Sequence, residues 1–185
     1  MSILKTIAYK LFYTMLLSCG VVILSAQSPA REYQIKAVFL FNFTQFVEWP
    51  ATAFSSEETP LVIGILGEDP FNSYLDEVIS NEKVNNHPLI VRRFKNTEQI
   101  EACHILFVSK SHENKMSRIR AVLKDKNTLT VSDGSNFIKE GGMIRFITLN
   151  KKIQFQINPE AVKAANLTIS SKLLRLAEIV SIKKE

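Results

Sequence analysis

Four short strand-like segments, at residues 60–66, 89–94, 104–108 and 128–132, are separated by polar turns and helix-like stretches, and this spacing constrains the fold more than any other feature. The run Leu61-Val62-Ile63-Gly64-Ile65-Leu66 is continuous rather than alternating, as in a strand buried on both faces. It is followed by the turn residues Gly67, Glu68, Asp69 and Pro70 and by a helical stretch to about residue 79. The same order returns later, with a helix expected over 113–123 between the last two runs. Strands joined by helices predict a mostly parallel sheet, because parallel neighbours need a crossover connection. The expected fold is therefore a single α/β domain, a mostly parallel sheet flanked by helices.

Residues 32–49 contain no Gly or Pro, and Ile35, Phe39, Phe43, Phe46 and Val47 recur at helical spacing until Pro50. Val38, Leu40 and Phe41 widen the apolar arc, so this helix is expected to be covered on more than one side, by its own core or by a partner chain. After Gly141 and Gly142, residues 143–149 and 153–157 flank a polar turn and predict a C-terminal antiparallel hairpin at one edge of the sheet. Pro159 opens a short helix through Ala165. Ser170 or Ser171 is expected to cap a last helix carrying Leu173, Leu174, Leu176, Ala177 and Val180.

At the amino terminus, Lys5 and Lys10 precede an apolar run over 11–24 that ends in Ser25-Ala26-Gln27. A membrane span needs about 20 apolar residues, and this shorter run is interrupted by Ser18, Cys19 and Gly20. Residues 1–26 therefore read as a secretory signal peptide and 27–185 as the exported domain. A lipoprotein signal at Cys19 is the competing reading. It would leave Val21-Val22-Ile23-Leu24 exposed at the start of the mature chain, so simple cleavage is favoured. Removing 26 of 185 residues leaves 159, enough for one domain with a sizeable core.

The formal charge of +5 falls to +3 without Lys5 and Lys10. The remaining basic residues are scattered, which argues against a nucleic-acid partner. Of two cysteines, only Cys103 follows the cleavage point, and its place at the start of an apolar run predicts a buried, inert thiol. His87, His104 and His112 show no metal-ligand spacing, so no metal and no cofactor is expected.

In open α/β sheets, ligands collect beyond the carboxyl ends of the strands where the strand order reverses. Asp69, Ser132 and Asp133 fall at such ends and are candidate ligand-binding residues, with turn and cap roles as the plainer alternative. Arg175 on the last helix is a further candidate for an anionic effector, an intramolecular salt bridge being its ordinary fate. Phe46, Val47, Trp49 and Phe54 are the candidate partner-binding surface, against simple core packing. No Gly-x-Ser-x-Gly elbow is present, and no catalytic residues are assigned; an exported hydrolase is the weakest reading.

The segment Glu32-Tyr33-Gln34-Ile35-Lys36-Ala37-Val38-Phe39-Leu40-Phe41-Asn42-Phe43, running on to Phe46-Val47-Glu48-Trp49-Pro50, resembles the opening of the YfiR family. Gly64-Ile65-Leu66-Gly67-Glu68-Asp69-Pro70-Phe71, Cys103-His104-Ile105-Leu106-Phe107-Val108-Ser109 and Leu129-Thr130-Val131-Ser132-Asp133 agree in order, as does Ile169-Ser170-Ser171-Lys172-Leu173-Leu174-Arg175. The likeness covers essentially the whole mature chain. It implies a periplasmic signalling regulator without catalysis, which binds and represses the periplasmic region of an inner-membrane diguanylate cyclase and so lowers cyclic di-GMP and biofilm formation. It also implies sequestration by an outer-membrane lipoprotein. Other family members sit beside kinases, so a small-molecule-binding domain reporting to a sensor kinase is the alternative, and a homodimer stays open. The best-studied member carries two disulfide pairs; Cys103 has no partner for one, so redox control through an internal disulfide is not carried over.

Overall fold

The computed structural model describes residues 29–182, so the leader read at 1–26 lies outside the described residues. In chain order the elements are α1 (Pro29–Phe46), β1 (Val47–Glu48), β2 (Leu61–Leu66), α2 (Tyr74–Ile79), β3 (Lys83–Val84), β4 (His87–Phe94) and β5 (Ile105–Val108). They continue with α3 (Met116–Val122), β6 (Leu129–Ser132), β7 (Ile144–Leu149), β8 (Lys152–Ile157), α4 (Pro159–Ala164), β9 (Thr168–Ile169), α5 (Ser171–Leu174) and β10 (Glu178–Ile179). An eight-stranded sheet has the order β10-β8-β7-β6-β5-β2-β4-β3, and β1 pairs with β9 in a separate ribbon. From β7 to β4 every neighbour is parallel, whereas β7 with β8 and β3 with β4 are antiparallel. This is the α/β architecture expected, with four local differences.

The first helix stops at Phe46 rather than Trp49, because Val47 and Glu48 turn out to pair with Ile169 and Thr168. The hairpin is not the outermost edge, since β10 adds parallel to β8. The last helix is a single turn capped by Ser170, whose side chain accepts from the Leu173 N–H. Beyond it Leu176 is 72% exposed, so the apolar residues there form no buried stripe; the Val180 N–H instead donates to the Ile157 carbonyl along the open edge of β8. Strand β3 escaped the periodicity because it is two residues long. Its turn is made by Asn85 and Asn86, both in the left-handed region at φ 50° and 70°, as a tight two-residue hairpin requires.

Strand alternation divides the core in two. Leu61, Ile63 and Ile65 of β2, Ile105 and Phe107 of β5, and Leu129 and Val131 of β6 face a cluster completed by Leu40 and Phe43 of α1, Leu75 of α2 and Phe146 and Phe155 of the hairpin. Val62 and Leu66, with Leu106 and Val108, face the other way, toward Met116 and Ile119 of α3 and toward Phe137. Each fully buried side chain of this kind contributes roughly 1.5–3 kcal/mol. On that second face β6 presents Thr130 and Ser132 in place of apolar residues. Helix α1 is covered by its own core: Ala37, Leu40 and Phe43 are buried, Phe39 packs on Phe146 and Phe155, and Val38 stays exposed.

Candidate functional site

The strand order reverses at β2, which is flanked by β4 on one side and β5 on the other. Beyond its carboxyl end the crevice is stitched shut by the chain itself. The Ser109 N–H donates to the Leu66 carbonyl (3.0 Å), the Gly67 N–H to the Phe94 carbonyl (2.8 Å) and the Glu68 N–H to Ser111 Oγ (3.2 Å). Gly67 lies at φ 91°, and a Cβ there would collide with Ser111 and His112, so only glycine fits the turn. Asp69 is tied down as well: one oxygen accepts from the Phe71 N–H (2.8 Å), the other from Arg93 Nε (2.7 Å). Arg93 also holds Asp76, and its hydrogen bond draws that carboxyl below the ordinary range against a small burial penalty. Asp69 thus takes the turn role offered as the plainer alternative.

At the neighbouring strand end, Ser132 Oγ donates to the Val108 carbonyl (2.6 Å) and accepts from the Gly134 N–H (3.1 Å), closing the β6 turn. Asp133 is the centre of a polar cluster under α1. Its Oδ2 accepts from Tyr33 Oη (2.7 Å) and from Lys36 Nζ (2.6 Å), with Lys110 Nζ at 3.9 Å. Lys36 also meets Glu32 one helical turn earlier (2.7 Å) and lies 4.3 Å from the Tyr33 ring centroid. The two charged side chains are 2% and 5% exposed, so this is a buried ion pair.

Burial disfavours the charge on Asp133, yet the hydrogen bond and charge of Lys36 outweigh it and hold the carboxyl below its ordinary range. Burial, then the Asp133 carboxylate, pushes the Tyr33 phenol up. An ionised Asp133 so held is a poor proton acceptor and a good anchor. Its Oδ1 is buried without a protein partner among the described residues. Lys36 and Tyr33 were not singled out from the sequence, although a lysine on the buried arc of an apolar helix carries a signal: such a charge demands a buried counter-ion.

The four candidate partner-binding residues fall into two groups. Val47 is buried in the core through its pairing with Ile169 and offers no surface, a correction that follows from its place on a strand instead of the helix. Phe46, Trp49 and Phe54 are half-buried against the same cluster. Phe54 stacks between His87 (3.9 Å between ring centroids) and His104 (4.4 Å), and Trp49 Nε1 donates to the His104 carbonyl (3.3 Å). His104 Nδ1 accepts from the Val62 N–H (3.0 Å), which leaves Nε2 to donate to the Ala53 carbonyl (3.2 Å). Both nitrogens are therefore used by the neutral ring, in agreement with burial lowering its pKa. Cys103 is buried as expected, and burial pushes its thiol up to about 12. Arg175 is exposed at the end of α5 and makes no hydrogen bond or ion pair with Asp69, Ser132 or Asp133 among the described residues.

Fold and site together define an α/β domain whose switch point is filled by its own side chains and whose first helix is locked to the sheet by a buried ion pair. The chain belongs to the YfiR/HmsC-like family, whose model matches residues 33–178. That family is one of periplasmic regulators rather than catalysts. No curated protein matches the chain. Among solved structures, a conserved domain protein from Vibrio cholerae O1 biovar eltor superposes with a TM-score of 0.55 at 8% identity, over 81% of this chain. The chain spans 60% of the length of that protein, and the likeness is one of fold. Among the described residues no helix is long and apolar enough to cross a membrane.

Proposed function

We propose that this protein is a periplasmic regulator that acts without catalysis, binding the periplasmic region of an inner-membrane diguanylate cyclase and repressing it. Cyclic di-GMP and biofilm formation would fall as a result. The observation that carries the reading is the family match across nearly all of the described domain. Two structural features support it. Half-buried Phe46, Trp49 and Phe54 offer aromatic anchors of the kind that dominate interface energetics. The Lys36 to Asp133 ion pair holds α1, which carries Phe46 at its end, in one orientation, and contacts to His104 and His87 hold Trp49 and Phe54, so the three anchors are presented pre-organised.

Deleting the gene should raise cellular cyclic di-GMP, and an export-competent copy, but not a leaderless one, should restore it. An unchanged nucleotide level would overturn the cyclase as receptor and favour a sensor kinase in its place. Rescue by the leaderless form would overturn the periplasmic site of action.

A further inference from the structure

The amino end of the sheet contrasts with the filled carboxyl end. There, the α3 to β6 connection, the start of β6, the residues before β7 and helix α4 enclose a cavity of about 510 Å³. This lies within the range of small-molecule sites, roughly 300–1,000 Å³. Its floor includes buried Leu123, Thr128, Thr130, Met143 and Asn158. Several polar atoms of that floor already have protein partners: Thr128 Oγ1 donates to the Cys103 carbonyl (2.7 Å), Thr130 Oγ1 accepts from the Met143 N–H (3.2 Å) and Asn158 Oδ1 accepts from the Ala161 N–H (3.2 Å). Leu123 and Met143 give the floor its carbon surface.

The rim offers charge. Among the described residues, Arg120, Lys124, Lys126 and Lys139 border the cavity against two carboxylates, Asp125 and Glu160. None of the four cations forms an ion pair among the described residues, although Arg92, Arg93, Arg118, Lys36 and Lys110 all do. Arg120 makes one long contact, 3.5 Å from Nη1 to the Glu140 carbonyl, and Gly141 at φ 89° packs against it where a Cβ would press on the guanidinium. Four cations without a carboxylate partner among the described residues, set around the apolar side chains of Leu123 and Met143, match one ligand chemistry.

We propose that this cavity is a binding site for a small anionic molecule with an apolar body, the negative group held by the cationic rim and the body seated on Leu123, Met143 and Ala161. The cavity shares no lining residue with Phe46, Trp49 or Phe54, and its test uses the purified protein alone, so it can fail while receptor binding stands, or the reverse.

The probe is anilinonaphthalene sulfonate, with uncharged N-phenylnaphthylamine as its neutral counterpart. Fluorescence titration of the mature protein should saturate at one sulfonate probe per chain, with the neutral probe at least about tenfold weaker. The pair Lys124→Glu and Lys139→Glu should weaken the anion by about tenfold or more, and raised salt should do the same, while the thermal midpoint stays unchanged. Ala161→Trp, or Ala164→Phe at a more exposed position should the first fail to fold, should remove the saturable phase by filling the cavity. Absence of saturable binding, equal affinity for the neutral probe, or an anion affinity untouched by charge reversal would overturn the proposal.

Discussion

The two ends of this sheet are built from the same strands and behave as opposites. At the carboxyl end, Asp133 meets Lys36 and Tyr33 from a helix 97 and 100 residues earlier, and the turn after β2 is hydrogen-bonded to its neighbours. At the amino end, Thr128 and Thr130 open onto a cavity whose cations have no carboxylate partners among the described residues. The general rule for open α/β sheets places ligands at the first of these ends. Here that end is occupied by the chain, because α1 precedes the sheet and is laid across it. The rule describes where helix termini and loops leave room, and an added helix can take that room away.

Breaking the ion pair should produce the largest difference between the two ends. Lys36→Met should cost about 3–5 kcal/mol of stability in urea unfolding, because it leaves Asp133 charged and buried, and Asp133→Leu should cost less, because Lys36 keeps Glu32. The double variant should lose clearly less than the sum of the two; strict additivity would show that the pair is not coupled.

The pH dependence sharpens the same contrast. The Asp133 carboxyl is held below its ordinary range, so its contribution is complete above about pH 4 and is lost as pH falls through its folded-state value. His104 is a base whose folded pKa is lowered by burial. Its contribution is therefore complete above about pH 6.5 and declines as the medium acidifies, since protonation removes the acceptor for the Val62 N–H. Urea midpoints should fall between about pH 8 and pH 5 in the parent protein and fall less in His104→Gln, whose amide can replace both hydrogen bonds.

Smaller effects are expected where groups are half-exposed. Phe54→Ala should cost about 1–2 kcal/mol by unstacking two histidines, read as a lowered thermal midpoint. Asp69→Asn should cost at most about 1 kcal/mol, since its partner Arg93 is substantially exposed and keeps Asp76. Smallest of all, Lys124→Glu with Lys139→Glu should move stability by no more than about 0.5 kcal/mol, because neither lysine has an ion pair among the described residues. A large loss there would mean that the amino end is held together by charge after all, and the contrast between the ends would dissolve.

What the chain alone determined is whatever depends on local order. The short strand-like segments named four strands to within two residues, three of them buried throughout, and the glycine-free stretch from residue 32 named the first helix, because strand and helix periodicities are properties of neighbouring residues. Family membership was equally legible, since its motifs are contiguous blocks. Where local signals ran out, errors followed: Val47 has the spacing of a helical residue and sits on a strand, and the apolar residues after Leu174 read as helix but leave an edge strand with Leu176 in solvent. Backbone pairing partners supplied from far along the chain decided both.

The site was decided by tertiary structure in the same way. Asp133 was legible as a residue at a strand end, but its neutralisation by Lys36 depends on where α1 crosses the sheet, which no local pattern encodes. The cavity at the opposite end is composed of side chains between Arg120 and Asn166, brought together only when α3, β6 and α4 pack. Sequence periodicity specifies which face of an element is apolar. The packing of those faces specifies which polar groups are paired and which are left to meet a ligand.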